Sequence, residues 1–226
     1  MDFRDEHYQS IMLATERGNI DCRYYPSTAT TSITKEHRHE GQLSAATIFV
    51  TGVGGDWGTP AEGLYPLLCN SLSRKHGFSG LRIRYRHPTD LEEAVFDVLT
   101  GITFLKDNEG IRKIGLVGHS FGGAVVLQAA AAASNIVSTV VTLATQSYGA
   151  IDAIAKLKDS GVSILLIHGT EDNVLPIHCS KQIYRLAPEP KQLVLLRGAG
   201  HSLDEDSESI HKQVYEWLVC YLTVQR

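Results

Sequence analysis

A serine flanked by glycines two positions before and two positions after it occupies residues 118–122, Gly-His-Ser-Phe-Gly. An apolar run precedes this segment and an alanine-rich run of helical character follows it. The serine would therefore lie at a sharp turn from a strand into a helix, where larger side chains at the glycine positions would collide with neighbouring backbone. The adjacent helix N-terminus would favour developing negative charge. The pattern predicts a nucleophile at Ser120, and the alternative is a helix-capping serine with incidental glycines.

A serine hydroxyl is a poor nucleophile at neutral pH, so it needs a base, and a carboxylate must orient that base. His201 is the candidate base, because it follows the last predicted strand in a glycine-rich loop. Asp172 is the candidate acid, in the loop after another strand, with Glu171 as its competitor. The chain order Ser, Asp, His is one of the three known orders of such triads. A surface or core histidine and a loop acid beside a turn are the alternatives.

Acyl transfer at a serine places negative charge on the former carbonyl oxygen, and preorganised backbone N–H groups stabilise it. We expect the N–H of Phe121, directly after the serine, to be one donor. The other is expected from the glycine-rich segment 51–55, most simply the N–H of Val53. A phosphate-binding loop is the rival interpretation of that segment, but it lacks the Walker A lysine and the G-x-G-x-x-G spacing.

Predicted strands and helices alternate along the chain from residue 45 onwards, and these elements must position the candidate site residues. Residues 11–15 and 20–25 flank a Gly18-Asn19 turn and predict a β-hairpin, and residues 26–44 predict a loop. Strands are then predicted at 45–50, 81–85, 114–117, 136–143, 162–167 and 192–196, and helices at 61–76, 91–105, 124–133, 150–158, 178–187 and 210–221. This alternation indicates an α/β fold, a mostly parallel sheet between two helical layers. Sites in such sheets lie beyond the carboxyl ends of the strands, where the motifs fall.

These motifs resemble those of the α/β-hydrolase fold superfamily over roughly residues 45–224. The resemblance rests on segments 51–55, 118–123, 168–172 and 200–201. It implies an eight-stranded sheet whose second strand is antiparallel, with Ser120 as nucleophile, Asp172 as acid and His201 as base. Thr51 departs from the family, which usually has a histidine there, but a backbone oxyanion donor tolerates the change. The serine argues against dehalogenase chemistry, which uses aspartate, and against the cysteine of dienelactone hydrolases.

The 18 residues between Leu143 and Val162 are enough for one helix and its loops. We therefore expect no substantial lid, which is similar to the compact dienelactone-hydrolase-like and esterase-like members. Substrate contact and core packing are equally open alternatives for four residues of the surrounding loops: Trp57, Tyr148, Val174 and Leu203.

Composition sets outer limits on the protein. A chain of 226 residues with 43% hydrophobic residues suits one domain, here residues 1–226. The net charge is −4 and no basic tract occurs, so nucleic acid is not an expected partner. No apolar run is long enough to span a membrane, and no secretory signal opens the sequence. Four widely separated cysteines predict free thiols in a reducing compartment, which favours a cytoplasmic protein.

Two further groups of residues, a histidine pair and three arginines, could in principle bind a metal ion or an anion. His37 and His39 lie in a polar loop without matching cysteines or acids, so we expect no metal site there. Arg82, Arg84 and Arg86 alternate along a strand, and structural ion pairs are favoured over binding of an anionic substrate.

The sequence thus predicts a serine hydrolase that acts on an ester, thioester or related acyl bond of a small-molecule substrate, with no metal or organic cofactor. Two alternatives stay open: a ligand-binding or receptor protein on the same fold, and an acyltransferase. The sequence leaves the oligomeric state open.

Overall fold

An eight-stranded sheet organises residues 7–27 and 44–223, the part of the chain that the computed structural model describes. The strands run in the order β1-β2-β4-β3-β5-β6-β7-β8. β2 is antiparallel to both of its neighbours, and the other neighbouring pairs are parallel. This confirms the predicted sheet and its antiparallel hairpin. The strands are β1 (Gln9–Thr15), β2 (Gly18–Tyr25), β3 (Ala45–Val50), β4 (Ser79–Arg84), β5 (Lys113–His119), β6 (Val137–Leu143), β7 (Ser163–Gly169) and β8 (Lys191–Leu196).

Helices cover both faces of the sheet, which confirms the three-layer architecture. One buried apolar cluster includes side chains from α2, α3, α4 and α5. A second cluster, on the other face, includes side chains from α1 and α6. The helices are α1 (Leu64–His76), α2 (Leu91–Asp107), α3 (Phe121–Ala132), α4 (Ile151–Lys156), α5 (His178–Leu186) and α6 (Ser207–Thr223). Strands β3, β5, β6 and β7 are largely buried and apolar, as expected for parallel strands covered on both faces.

Some predicted helix boundaries were wrong. α1 begins at Leu64 rather than Ala61, because Ala61, Glu62 and Gly63 all have positive φ angles, 50°, 49° and 95°. α3 begins at Phe121 rather than at Ala124, since the turn after β5 occupies a single residue. The loop predicted at residues 26–44 lies largely outside the described residues.

The connection between β6 and β7 contains only α4. Ala150, Ile154 and Leu157 have no exposed surface and belong to the same apolar cluster as α3. This connection therefore packs beside α3, as the lidless prediction requires.

The described residues hold four free cysteines, three buried and one, Cys220, exposed. Within the same two ranges, no helix combines the length and apolar character that crossing a bilayer requires. The single-domain and cytoplasmic assignments stay predictions.

Candidate active site

Ser120 lies alone between β5 and α3 with φ 57° and ψ −119°, a conformation that few non-glycine residues adopt. A Cβ on Gly118 would collide with the backbone of Gly122, and a Cβ on Gly122 would collide with the carbonyl oxygen of Thr51. The N–H of Ser120 donates to the carbonyl oxygen of Leu143 at 2.8 Å, which ties the turn to β6. Close packing therefore requires both glycines and holds the serine at the carboxyl edge of the sheet.

The glycine-rich loop after β3 lies against this serine. A Cβ on Gly52 would be 3.2 Å from the Cβ of Ser120. Val53 follows with about half of its surface exposed, 55%. Phe121 is the first residue of α3, so its N–H has no partner within the helix. The two expected oxyanion donors thus belong to the two segments that border Ser120.

Asp172 and His201 form a hydrogen-bonded pair, with His201 Nδ1 2.8 Å from Asp172 Oδ2. The side chain of Asp172 has no exposed surface, whereas that of His201 keeps 19%. The other carboxylate oxygen, Oδ1, accepts from the N–H groups of Val174 and Leu175, each at 2.8 Å. The competing acid, Glu171, is exposed and no contact joins its side chain to His201.

Burial and hydrogen bonding act in opposite directions on Asp172. Burial alone raises the pKa of its carboxyl group, because it penalises the charged form. Hydrogen bonds from His201 and from the backbone of Leu175 and Val174 outweigh that effect, so the pKa lies below its usual value. A carboxylate held ionised is suited to orient an imidazole and to stabilise its protonated form.

His119, which precedes the serine, was not predicted as a site residue. Its Nε2–H donates to the carbonyl oxygen of His201 at 2.9 Å, and the two ring centroids are 4.8 Å apart. Burial lowers the pKa of His119 to about 4, so the ring is neutral at pH 7. His119 therefore links the serine turn to the loop that carries His201. The sequence signal was its place inside the serine motif.

His168 at the end of β7 was also missed as a site residue. Its side chain is fully buried, and its Nε2 lies 3.1 Å from Asp172 Oδ2, the oxygen that His201 also contacts. The available signal was a histidine at the end of an apolar strand, four residues before the candidate acid.

The four residues considered for substrate contact are placed differently. Tyr148 and Val174 are 80% and 66% exposed on the loops after β6 and β7. Leu203 has no exposed surface and packs in the core, so the expectation that it contacts substrate is not supported. Trp57 lines a cavity of about 740 Å³ that none of Ser120, Asp172 and His201 lines.

The alternating arginines make structural contacts. Arg86 pairs with the buried Asp97 at 2.7 Å and with Glu93 at 2.6 Å. Arg82 donates to the carbonyl oxygen of Trp57 at 2.5 Å, and Arg84 pairs with exposed acids. Across residues 7–27 and 44–223, no group of three or more His, Cys, Asp or Glu residues could hold a metal ion. His37 and His39 fall outside those ranges.

The fold is one that known protein families share, and a match to a family model identifies which family this chain belongs to. The model of the alpha/beta hydrolase family matches residues 65–204, more than half of the chain. The chain therefore belongs to the alpha/beta hydrolase family.

Individual relatives are more distant. The chain is 34% identical over 109 residues to the uncharacterized protein YfhR of Escherichia coli, a match that covers 48% of the chain and 35% of YfhR. The chain thus spans about a third of the length of the curated relatives it matches.

Solved structures with the same fold include three with low sequence identity. Est1E from Butyrivibrio proteoclasticus gives a TM-score of 0.75 at 16% identity, over 95% of this chain and 99% of that one. A dienelactone hydrolase from Anabaena variabilis gives 0.76 at 18% identity, over 95% and 98%. XC6422 from Xanthomonas campestris, described as a serine hydrolase without a lid, gives 0.67 at 15% identity, over 97% of each chain. At these identities the likeness concerns the fold.

Proposed function

We propose that the protein is a serine hydrolase that cleaves an ester, thioester or related acyl bond through an acyl-enzyme. The observation that carries the proposal is the buried Asp172 bonded to Nδ1 of His201. The loop of His201 is joined through His119 to the strained strand-to-helix turn that holds Ser120. A carboxylate at Nδ1 keeps the proton on that nitrogen and leaves Nε2 free to act as a base.

The proposed reaction has two halves. The Ser120 oxygen attacks the acyl carbon while Nε2 of His201 takes the hydroxyl proton, and the carbonyl electron pair moves onto oxygen. The N–H groups of Phe121 and Val53 stabilise that oxyanion. Its collapse breaks the bond to the leaving group, which receives the proton from His201. Water then repeats the sequence on the acyl-enzyme, which releases the carboxylic acid and restores Ser120.

The first test is covalent labelling of the protein with a fluorophosphonate probe. We expect the wild type to be labelled on Ser120, and Ser120→Ala to show no labelling while keeping the wild-type melting temperature. Asp172→Asn should slow both labelling and turnover about a thousandfold or more, because the imidazole loses its orienting charge. Glu171→Gln is the matched control and should retain wild-type rates. A folded wild type that neither reacts with the probe nor hydrolyses any ester would contradict the proposal.

The substrate class follows from the edge of the site. Val53, Tyr148 and Val174 are exposed apolar side chains on the loops after β3, β6 and β7, which surround the end of β5 in the sheet order. They favour an uncharged, apolar acyl or leaving group of a small molecule. A panel of p-nitrophenyl esters of increasing chain length tests this. Activity should rise with apolar length and be lower for a succinyl ester.

Two alternatives use the same residues. A receptor on this fold would bind a ligand saturably without product, and Ser120→Ala would not weaken that binding. An acyltransferase would form the same acyl-enzyme but pass the acyl group to an acceptor other than water, which product analysis with added alcohols or amines detects.

A further inference from the structure

His168 contacts the same carboxylate oxygen as the candidate base. Its Nε2 lies 3.1 Å from Asp172 Oδ2 and 3.0 Å from the carbonyl oxygen of Leu175. Both neighbours accept hydrogen bonds, so Nε2 carries the proton. On the other side of the ring, Nδ1 lies 2.7 Å from Oγ of Ser180, a hydroxyl group that can donate to it. The tautomer of His168 is thus set by contacts at both nitrogens.

Polar hydrogens lie close to both carboxylate oxygens of Asp172. Oδ1 accepts two backbone N–H groups, and Oδ2 is hydrogen-bonded to His201. Nε2 of His168 lies 3.1 Å from the same Oδ2, and its N–H donates to the carbonyl oxygen of Leu175, the residue whose own N–H binds Oδ1. The two backbone bonds alone would allow the carboxylate plane to tilt on the loop. His168 removes that freedom, because it belongs to β7 and its ring is hydrogen-bonded both to Ser180 of α5 and to Leu175 of the loop that carries Asp172.

We propose that His168 is a positioning residue for the proposed hydrolase reaction. It orients the Asp172 carboxylate toward His201 and stabilises the negative charge of that carboxylate. The inference rests on the proposed function. Packing alone does not explain a histidine there, because the neighbouring positions of β7 are apolar and a buried imidazole must be fully hydrogen-bonded to be tolerated. His168 contacts no substrate, so its effect passes through Asp172.

Three variants separate this role from a structural one. His168→Asn keeps a polar group near Ser180 but cannot reach Asp172, and His168→Gln extends an amide donor back toward Oδ2. Ser180→Ala is the matched control, since it disturbs the same buried ring and leaves its Nε2 donor in place. Melting temperatures of all three report the purely structural cost.

We expect His168→Asn to lower kcat about tenfold, with KM within about twofold of the wild type. Loss of the donor leaves more charge on Asp172, so the acidic limb of the kcat/KM profile should move to higher pH. The titratable groups around this carboxylate are His168, His201 and His119, with Asp204 beyond His119. His168→Gln should restore most of kcat, and Ser180→Ala should stay within about threefold. Equal kcat values and identical pH profiles for His168→Asn and Ser180→Ala would overturn the proposal.

Histidine ¹⁵N NMR gives a readout that needs no activity. The wild type should show His168 as the Nε2–H tautomer, and His168→Asn, but not Ser180→Ala, should shift the Nδ1–H resonance of His201. If the wild type hydrolyses no ester and resists the fluorophosphonate, the proposed function fails, and these spectra still decide whether His168 orients Asp172. An Nδ1–H tautomer at His168, or an unshifted His201 resonance in His168→Asn, would refute the positioning role in either case.

Discussion

Three histidines surround one aspartate at the carboxyl edge of the sheet, and each has a different hydrogen bond. His201 and His168 contact the carboxylate itself, whereas His119 contacts the backbone of His201. The side chain of His168 is fully buried, whereas that of His201 has exposed surface. Of these two histidines, only His201 can therefore contact a substrate. In the proposed mechanism, His201 transfers the proton, and His168 and His119 keep Asp172 and His201 in position.

His119 makes the stability of the protein depend on pH. Its pKa is about 4 in the folded state, against an ordinary value of 6.5. Between these values the unfolded chain binds a proton that the folded chain does not, so the free energy of unfolding falls as pH drops from 6.5 to 4. The full contribution is present above pH 6.5, and up to roughly 3 kcal/mol is lost below pH 4. Urea titrations of the wild type at pH 4 to 8 measure it.

The His119→Gln variant isolates this contribution from those of other groups. Glutamine does not titrate, so the difference in unfolding free energy between wild type and variant should change across pH 4 to 6.5 and be constant above it. His87→Gln is the control, because His87 lies exposed in the loop before α2. Parallel wild-type and His119→Gln curves throughout this range would contradict the expectation.

At the scale of elements, the site depends on how closely β3, β5 and α3 approach one another. A Cβ added at Gly122, at the start of α3, would collide with the carbonyl oxygen of Thr51 after β3. This close approach brings the glycine-rich loop after β3 to the serine turn, and any side chain at position 122 would separate them.

Gly122→Ala should therefore lower the free energy of unfolding by about 3 kcal/mol, since the added methyl meets rigid backbone. The folded fraction should also react more slowly with a fluorophosphonate, because the loop after β3, which carries the proposed oxyanion donor Val53, is displaced. Gly54→Ala is the matched control in the same loop region, because a Cβ there meets no atom within 4 Å. It should change stability by less than about 0.5 kcal/mol. Chemical denaturation distinguishes them, and equal losses in both variants would refute the steric account.

The end of β4 is held to α2 by a buried ion pair. Asp97 has no exposed side-chain surface and accepts from both the guanidinium and the backbone N–H of Arg86, at 2.7 and 2.9 Å. Asp97→Ala removes the acceptor of both the guanidinium and the backbone N–H of the largely buried Arg86, which keeps Glu93 as a partner acid, so we expect a loss of about 3 kcal/mol of unfolding free energy. Asp21→Ala removes an exposed partner of Arg84 and should cost less than about 1 kcal/mol. Thermal and urea denaturation measure both, and a small loss for Asp97→Ala would contradict this interpretation.

At the scale of the whole molecule, the periodicity of the sequence was sufficient to predict the three layers and most of the strands, because buried parallel strands form continuous apolar runs. The candidate site could be predicted because sites in parallel sheets lie at the carboxyl ends of the strands. That rule indicates which loops carry the site residues, but not which residues contact one another. The contacts of His119 and His168 could not be derived from the sequence, since they depend on how separate segments meet in the folded chain. For Leu203 the sequence left core packing and substrate contact equally open for the same reason, because loop position does not indicate which way a side chain points.

The absence of a lid between β6 and β7 predicts how the rate of the proposed hydrolase depends on whether its substrate is dissolved or aggregated. α4 packs in the same apolar cluster as α3. It therefore does not cover the strand ends, and no lipid–water interface is needed to displace it. The rate of hydrolysis of a sparingly soluble p-nitrophenyl ester should therefore saturate smoothly, without a jump at the concentration where micelles form. The Ser120→Ala variant, assayed in parallel, corrects for spontaneous hydrolysis. A severalfold rise in rate at that concentration, absent from the variant, would mean that the site is covered in solution.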